Sequence, residues 1–218
     1  MELFAYLLII PICFFILYIL SRNDFVLLRQ NISASQILDT LFLSLVSSFL
    51  FGRAFYMVNN FKIELLDLLP FFHVIRYPGL SIFGIFFGGA VCLYLIYLKK
   101  KGFGRIADIY AVSFFPLFII SLLFENYAKV LYVPIILIVL SLILFVTFIR
   151  FHYKYILRDG SVAICFLLFV CITTVISQMF SNAGNAILFN LSILALLSLI
   201  LIPFGLILLL INQRRKTS

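Results

Sequence analysis

The sequence predicts an all-α, polytopic membrane protein with seven transmembrane helices. Of its 218 residues, 65% are hydrophobic and only 11% are charged, which leaves too few polar side chains to cover a soluble globule of this size. The mean hydropathy is +1.25. Long apolar stretches alternate with short charged segments, and each stretch has about the 20 residues that a spanning helix needs. We therefore expect a single integral membrane domain over residues 1–218.

The charged and polar segments set the bounds of the predicted spans. These are approximately 4–20, 37–58, 79–98, 106–124, 130–149, 161–180 and 186–211. The first span contains Pro11, which a transmembrane helix tolerates as a kink. The last two spans form one uncharged stretch that is too long for a single helix, and the polar cluster at residues 181–185 divides it.

Helix-start signals precede two of the spans. Ser33 or Ser35 is predicted to cap the second span, with Asp39 in its first turn, and Asp108 is predicted in the first turn of the fourth. The loop between the second and third spans, residues 59–78, repeats apolar residues with helical spacing. We expect it to form short amphipathic helices along the membrane surface.

The lysines and arginines indicate the orientation. Three of them, Lys62, Arg76 and Lys129, fall on one predicted side. Twelve fall on the other side: Arg22, Arg29, Lys99, Lys100, Lys101, Arg105, Arg150, Lys154, Arg158, Arg214, Arg215 and Lys216. The positive-inside rule then predicts a cytoplasmic C-terminus and an external N-terminus. Because the net charge of +8 arises from these short clusters, topology explains it and no nucleic-acid partner is expected.

Arg53 is the main candidate functional residue, because it lies within the apolar run of the second span. Its long side chain could lift the guanidinium to the head-group level, which would be a purely structural role. Alternatively it binds a lipid phosphate, which suits a planar donor fork. In the outer loop, Arg76 is a candidate second phosphate-binding cation or a plain interfacial arginine. His73 is a candidate catalytic proton acceptor or simply part of an amphipathic helix.

Small residues follow the outer loop at positions where a helix backbone could approach another backbone or a ligand. The residues predicted to line a lipid cavity are Tyr56, Gly79, Ser81, Gly84 and Gly88. The four cysteines lie in apolar runs without metal-ligand spacing, so no metal or cofactor is expected. Arg53 is the clearest intramembrane charge, whereas a transporter usually needs several.

Two segments resemble a known family, the bacterial prolipoprotein diacylglyceryl transferases. The segment Phe51-Gly-Arg-Ala-Phe-Tyr-Met-Val58 is similar to the family pattern Gly-Ala-Arg-X-Gly-Tyr-Val-Leu, with Arg53 on its arginine. The segment Pro78-Gly-Leu-Ser-Ile-Phe-Gly-Ile-Phe-Phe-Gly88 is similar to Gly-Gly-Met-Ser-X-His-Gly-Gly-X-X-Gly. The resemblance extends to the segment Arg105-Ile-Ala-Asp108 and to the last span.

The resemblance implies an enzyme of the bacterial plasma membrane. Its reaction moves the diacylglyceryl group of phosphatidylglycerol to the cysteine thiol of a lipoprotein precursor at the outer face. Several motif residues differ, however: Phe83 and Ile85 replace the motif histidine and the glycine that follows it. The alternative is a catalytically degenerate relative that binds phospholipid as an accessory membrane protein.

Overall fold

A computed structural model describes residues 2–60, 80–97, 102–124, 132–154, 156–181 and 193–214. Helices make up nearly all of these residues, and no strand occurs among them. In chain order they are α1 (Glu2–Arg22), α2 (Phe25–Arg29), α3 (Ala34–Asn60), α4 (Ile82–Tyr97), α5 (Phe103–Phe124), α6 (Tyr132–Lys154), α7 (Ser161–Ser181) and α8 (Ile193–Arg214).

The all-helical prediction is confirmed, and each predicted span contains a helix. Helices α3, α5, α6, α7 and α8 are long and apolar enough to cross a membrane. The described parts of α1 and α4 contribute shorter apolar helices, at Leu8–Arg22 and Ile82–Tyr97. The protein is therefore a multi-pass membrane protein. The count of seven spans and the sidedness of the termini stay predictions.

The predicted helix starts are correct in part. The Ser33 hydroxyl accepts a hydrogen bond from the Gln36 amide at 3.3 Å, as a cap of α3 does. The positions predicted for Asp39 and Asp108 are wrong, because α3 begins at Ala34 and α5 at Phe103, and neither first turn holds an acidic residue. Asp39 is exposed, whereas Asp108 is buried and bonds to another helix.

Helix α5 lies at the centre of the bundle, in contact with α1, α4, α6 and α7. Its buried face carries Phe115 and Phe118, which meet Phe166 of α7 at ring-centroid distances of 5.1 and 5.9 Å. Aromatic rings bury large areas and pack favourably at such distances. Around this core the helices pair as α1 with α5, α3 with α4, and α7 with α8.

Helices α3 and α4 pack with their backbones in direct contact. A Cβ atom on Gly84 would lie 2.7 Å from the Phe51 carbonyl oxygen, and one on Gly88 would lie 2.8 Å from that of Ser47. Two hydrogen bonds join the same surfaces: the Ser81 amide donates to the Gly52 carbonyl at 3.0 Å, and the Ser47 hydroxyl donates to the Gly88 carbonyl at 2.9 Å. Small residues permit such close packing in membranes.

We predict that Gly84→Ala destabilises the protein by about 1–3 kcal/mol, because the new methyl group would overlap the backbone of α3. Gly89→Ala is the matched control on the same helix. Its Cβ would meet only the Ser48 hydroxyl, which can rotate away, so a change within about 0.5 kcal/mol is expected. Unfolding in detergent checks both variants. Equal stability of the two would contradict the close backbone contact.

Candidate functional site

Arg53 is fully enclosed by protein, with 0% of its surface exposed. Its guanidinium carbon lies 5.7 Å from the centre of the Tyr56 ring, one turn further along α3. A cation over an aromatic face is stabilised by the ring quadrupole, and more strongly where water is absent. The charge of Arg53 is therefore not exposed to water, and both roles considered for it, lifting its charge to the head-group level and binding a lipid phosphate, stay predictions.

Arg53 lies on the side of α3 that faces away from α4. At 100° per residue, it is about 140° around the helix from Ser48, which contacts Gly89 of α4. Earlier turns on the side of Arg53 carry Phe42, Val46 and Phe49, which are 63%, 59% and 42% exposed. In a bilayer these side chains form a lipid-facing stripe along α3. The stripe ends at the enclosed cation.

The other predicted site residues fall into two groups. His73, Arg76 and Gly79 lie outside the described residues, so their approach to Arg53 stays a prediction. Ser81 is buried, and its hydroxyl accepts a hydrogen bond from the Gly84 amide at 3.3 Å at the start of α4. The contacts of Gly84 and Gly88 are with α3. A cavity-lining role for these residues also stays a prediction.

A large apolar cavity lies on the other side of α3 from Arg53. It has a volume of about 780 Å³, is lined by residues of α3, α4, α5, α7 and α8, and is partly open at the surface. The wall includes Ser44 and Ser48 of α3, but among the described residues it is otherwise formed mainly by apolar and aromatic side chains. Its size lies within the usual range for ligand pockets. Such a wall suits a hydrocarbon chain far better than a polar ligand.

Phe83, in the first turn of α4, forms part of the cavity wall. It is 4% exposed and packs in an aromatic cluster, edge-on to Phe55 at 5.6 Å and stacked with Phe87 at 5.9 Å. Cys171 and Leu194 complete its apolar surroundings. The position of the motif histidine is therefore apolar in this protein, and a phenyl ring cannot transfer protons there.

A buried ion pair lies where the C-terminal ends of α1 and α6 meet the N-terminal end of α5. The Arg105 guanidinium donates to the Asp24 carboxylate at 2.6 Å and to the His152 carbonyl at 3.3 Å. Asp24 also caps α2 by accepting from the Val26 and Leu27 amides. Both side chains of the pair are at most 4% exposed. His152 is a buried residue of α6.

A second polar cluster joins α5, α7 and α8 at the same end. Asp108 accepts hydrogen bonds from the Gly160 and Ala163 amides, both at 2.8 Å, and so caps α7 from a neighbouring helix. The Asn212 amide donates to the Asp159 carbonyl at 3.1 Å and to the Ser161 hydroxyl at 2.9 Å. Burial raises the pKa of the Asp159 carboxyl, while the Arg105 guanidinium opposes that rise.

Sequence reasoning missed both clusters, since it attributed Arg105 to topology and Asp108 to a helix start. Their partners are distant in the chain: 81 residues separate Arg105 from Asp24, and 52 separate Gly160 from Asp108. The one local signal was Asp24, which precedes the apolar segment 25–28 as an N-cap does. Among the described residues, no group of three or more histidine, cysteine or acidic side chains could hold a metal ion.

A family model of the prolipoprotein diacylglyceryl transferases matches residues 1–123, which is more than half of the chain. The chain belongs to this family. Comparisons with curated proteins and with solved structures give no significant match. The protein is therefore a membrane-embedded member of a transferase family of lipoprotein biosynthesis.

The part of the chain that matches the diacylglyceryl transferase family runs from α1 into α5. It contains Arg53, the contact surface of α3 and α4, and both partners of the Asp24–Arg105 pair. Helices α6, α7 and α8 lie beyond the matched part. They contribute residues to both polar clusters and to much of the cavity wall. The family likeness thus covers the surroundings of Arg53 most fully.

We predict that Asp24→Asn destabilises this transferase-family protein by about 3–5 kcal/mol, because it removes the nearer and more buried of the two carboxylates that face Arg105, at 2.6 Å, and leaves only that of Asp159 at 3.8 Å. Asp39→Asn removes an exposed carboxylate and serves as the control, with an expected change within about 0.5 kcal/mol. Denaturant unfolding in detergent micelles measures the difference. A stability of Asp24→Asn equal to that of the control would contradict this account of the pair.

Proposed function

We propose that this protein is a diacylglyceryl transferase that acts on phosphatidylglycerol and a lipoprotein precursor at the outer face of a bacterial plasma membrane. Family membership over the stretch that contains Arg53 supports the transferase class. The observation that carries the proposal is the burial of that arginine, 0% exposed at the end of a lipid-facing stripe. An arginine buried at membrane depth marks a candidate site for an anionic ligand.

The geometry of α3 suits a phospholipid. From Phe42 to Arg53 the helix rises by about 16 Å, so acyl chains packed along the stripe would bring the phosphate near the guanidinium. Because the site excludes water, a charge-assisted hydrogen bond between the two would be strong. In this proposal Arg53 binds the substrate phosphate, and the Tyr56 ring beside it helps to orient the guanidinium.

The chemistry is a displacement at the glycerol carbon that bears the phosphate. The precursor's cysteine thiolate forms a carbon–sulfur bond there, the carbon–oxygen bond breaks, and glycerol phosphate departs with the electron pair. The thiolate is the reactive form of cysteine, so a base must take the thiol proton. We assign that role to His73, with Arg76 as a second cation for the phosphate. Arg53 would stabilise the negative charge that grows on the leaving group.

A second candidate function is phospholipid binding without catalysis. The observation that favours it is Phe83, which places an aromatic cluster where the family pattern has a histidine. In that case the protein would bind lipid and serve as an accessory to lipoprotein synthesis. Transfer of a labelled diacylglyceryl group to a precursor peptide by the purified protein distinguishes the two, because only the enzyme forms a thioether product.

We predict that Arg53→Ala lowers this transfer roughly 100-fold or more, since it removes the cation that stabilises the departing phosphate. Arg53→Lys keeps the charge without the planar fork and should retain part of the activity. Arg22→Ala is the matched control, because Arg22 is also paired with a tyrosine, Tyr18, but is exposed at the end of α1. Transfer is assayed in liposomes of phosphatidylglycerol.

Membrane insertion and thermal unfolding of the three variants show whether each is folded. Wild-type transfer rates in a folded Arg53→Ala protein would refute the role of this arginine. Transfer lost equally in Arg22→Ala would show that the loss is not specific to Arg53.

A further inference from the structure

The short helix α2 carries two large apolar side chains on the face that the bundle leaves uncovered. Phe25 is 76% exposed and Leu28 is 57% exposed, whereas Leu27 is fully buried. At 100° per residue, Phe25 and Arg29 lie on the side of the helix opposite to Leu27, and Leu28 lies beside them. Arg29 is also exposed. Phe25, Leu28 and Arg29 thus form an exposed face of α2 that has no role in the proposed reaction.

Helix α2 is held at both ends, so its exposed face has a fixed orientation. Asp24, which caps α2 by accepting from two amides of its first turn, also binds the buried Arg105. At the other end, Asn31 adopts a positive φ of 55°, and the Ile32 amide donates to the Leu27 carbonyl at 3.0 Å. This is the hydrogen bond of a Schellman helix end, and both of its residues are buried.

The position of α2 in the chain places its exposed face at a membrane surface. The helix follows the end of α1 at Arg22 and precedes α3, which is long and apolar enough to cross a membrane. The Arg22 guanidinium donates to the hydroxyl of Tyr18, which is 39% exposed. Tyrosine is enriched where membrane and water meet. On a surface helix at this level, apolar side chains reach roughly 5–10 Å into the boundary between head groups and acyl chains.

The charge of the exposed face suits an anionic head group. Asp24 is the one acidic residue between positions 21 and 38, and it is 4% exposed. The part of the chain that the structure describes contains no ion pair of Arg29. Its guanidinium therefore presents a positive charge beside Phe25, and a planar donor fork binds phosphate well.

The exposed face is too small for a protein partner. A stable protein interface covers about 800 Å² on each side. Large apolar side chains contribute roughly 150–250 Å² each, so Phe25 and Leu28 supply well under that area. A bilayer needs no such area, because it surrounds the helix and offers acyl chains and phosphates at adjacent levels.

We propose that α2 is a membrane-surface anchor that inserts Phe25 and Leu28 among acyl chains and binds the phosphate of an anionic phospholipid through Arg29. The lipid belongs to the leaflet on the side where α1 ends and α3 begins. This contact involves neither Arg53 nor the transfer reaction.

Tryptophan fluorescence tests the insertion, because the protein contains no tryptophan. Phe25→Trp and, as a second reporter, Leu28→Trp are placed in liposomes of lipids brominated near the start or near the end of the acyl chain. Ile143→Trp, in the middle of α6 and 57% exposed, is the deep control, and Phe148→Trp, 4% exposed, is the buried control.

We expect both reporters on α2 to be quenched more by shallow bromine than by deep bromine, with the reverse order at Ile143→Trp and little quenching at Phe148→Trp. Quenching of both α2 reporters no stronger than that of Phe148→Trp would overturn the anchor. Stronger quenching by deep bromine would overturn its place at the membrane surface.

Head-group selectivity is measured with Phe25→Trp in phosphatidylcholine bilayers that contain a minor fraction of brominated phosphatidylglycerol or the same fraction of brominated phosphatidylcholine. We expect stronger quenching by phosphatidylglycerol. Adding Arg29→Gln should lower the relative affinity for phosphatidylglycerol about fivefold. Arg150→Gln is the matched control, because Arg150 is exposed but lies about 160° around α6 from His152, which faces Asp24.

Equal quenching by the two brominated lipids would overturn the phosphate site. A preference for phosphatidylglycerol that Arg29→Gln leaves unchanged, or that Arg150→Gln lowers as much, would overturn the role of Arg29. None of these results depends on transferase activity.

Discussion

The close contact between α3 and α4 determines how the rest of the protein is arranged. Because Gly84 and Gly88 have no side chain, α4 lies directly on the backbone of α3 and fixes its rotation. That rotation turns Arg53 away from the bundle centre and turns Ser44 and Ser48 toward the cavity. It also places Phe83 and Phe87 on the cavity wall. A side chain at either glycine would separate α3 from α4. It would change the position of Arg53 on one side of α3 and the shape of the cavity on the other.

The two sides of α3 therefore offer different environments to lipid. The side that faces away from α4 combines an exposed apolar stripe with the enclosed Arg53, and the proposed phospholipid site rests on these two features. The inner side offers an apolar cavity and no buried cation among its described wall residues. At the end of the bundle that contains Asp24 and Asp108, polar clusters join α2, α5, α6, α7 and α8. These contacts fix the positions of the helices that surround the cavity.

Hydropathy predicts the helices well because the bilayer imposes length and apolar character on each span. The sequence also singled out Arg53, since a charge within an apolar run is conspicuous. It did not predict the Asp24–Arg105 pair or the capping of α7 by Asp108, because these contacts join distant parts of the chain. Small residues at Gly84 and Gly88 indicated a close approach, but their pattern could not show that α3 approaches them.

The central claim is that this member of the family still transfers diacylglyceryl groups although Phe83 replaces the motif histidine. The most direct measurement is the mass of a lipoprotein precursor in bacteria that are depleted of their own diacylglyceryl transferase and express this protein. The account predicts a precursor whose cysteine carries a thioether-linked diacylglyceryl group, together with restored growth. An unmodified precursor in cells whose membranes contain the folded protein would contradict it.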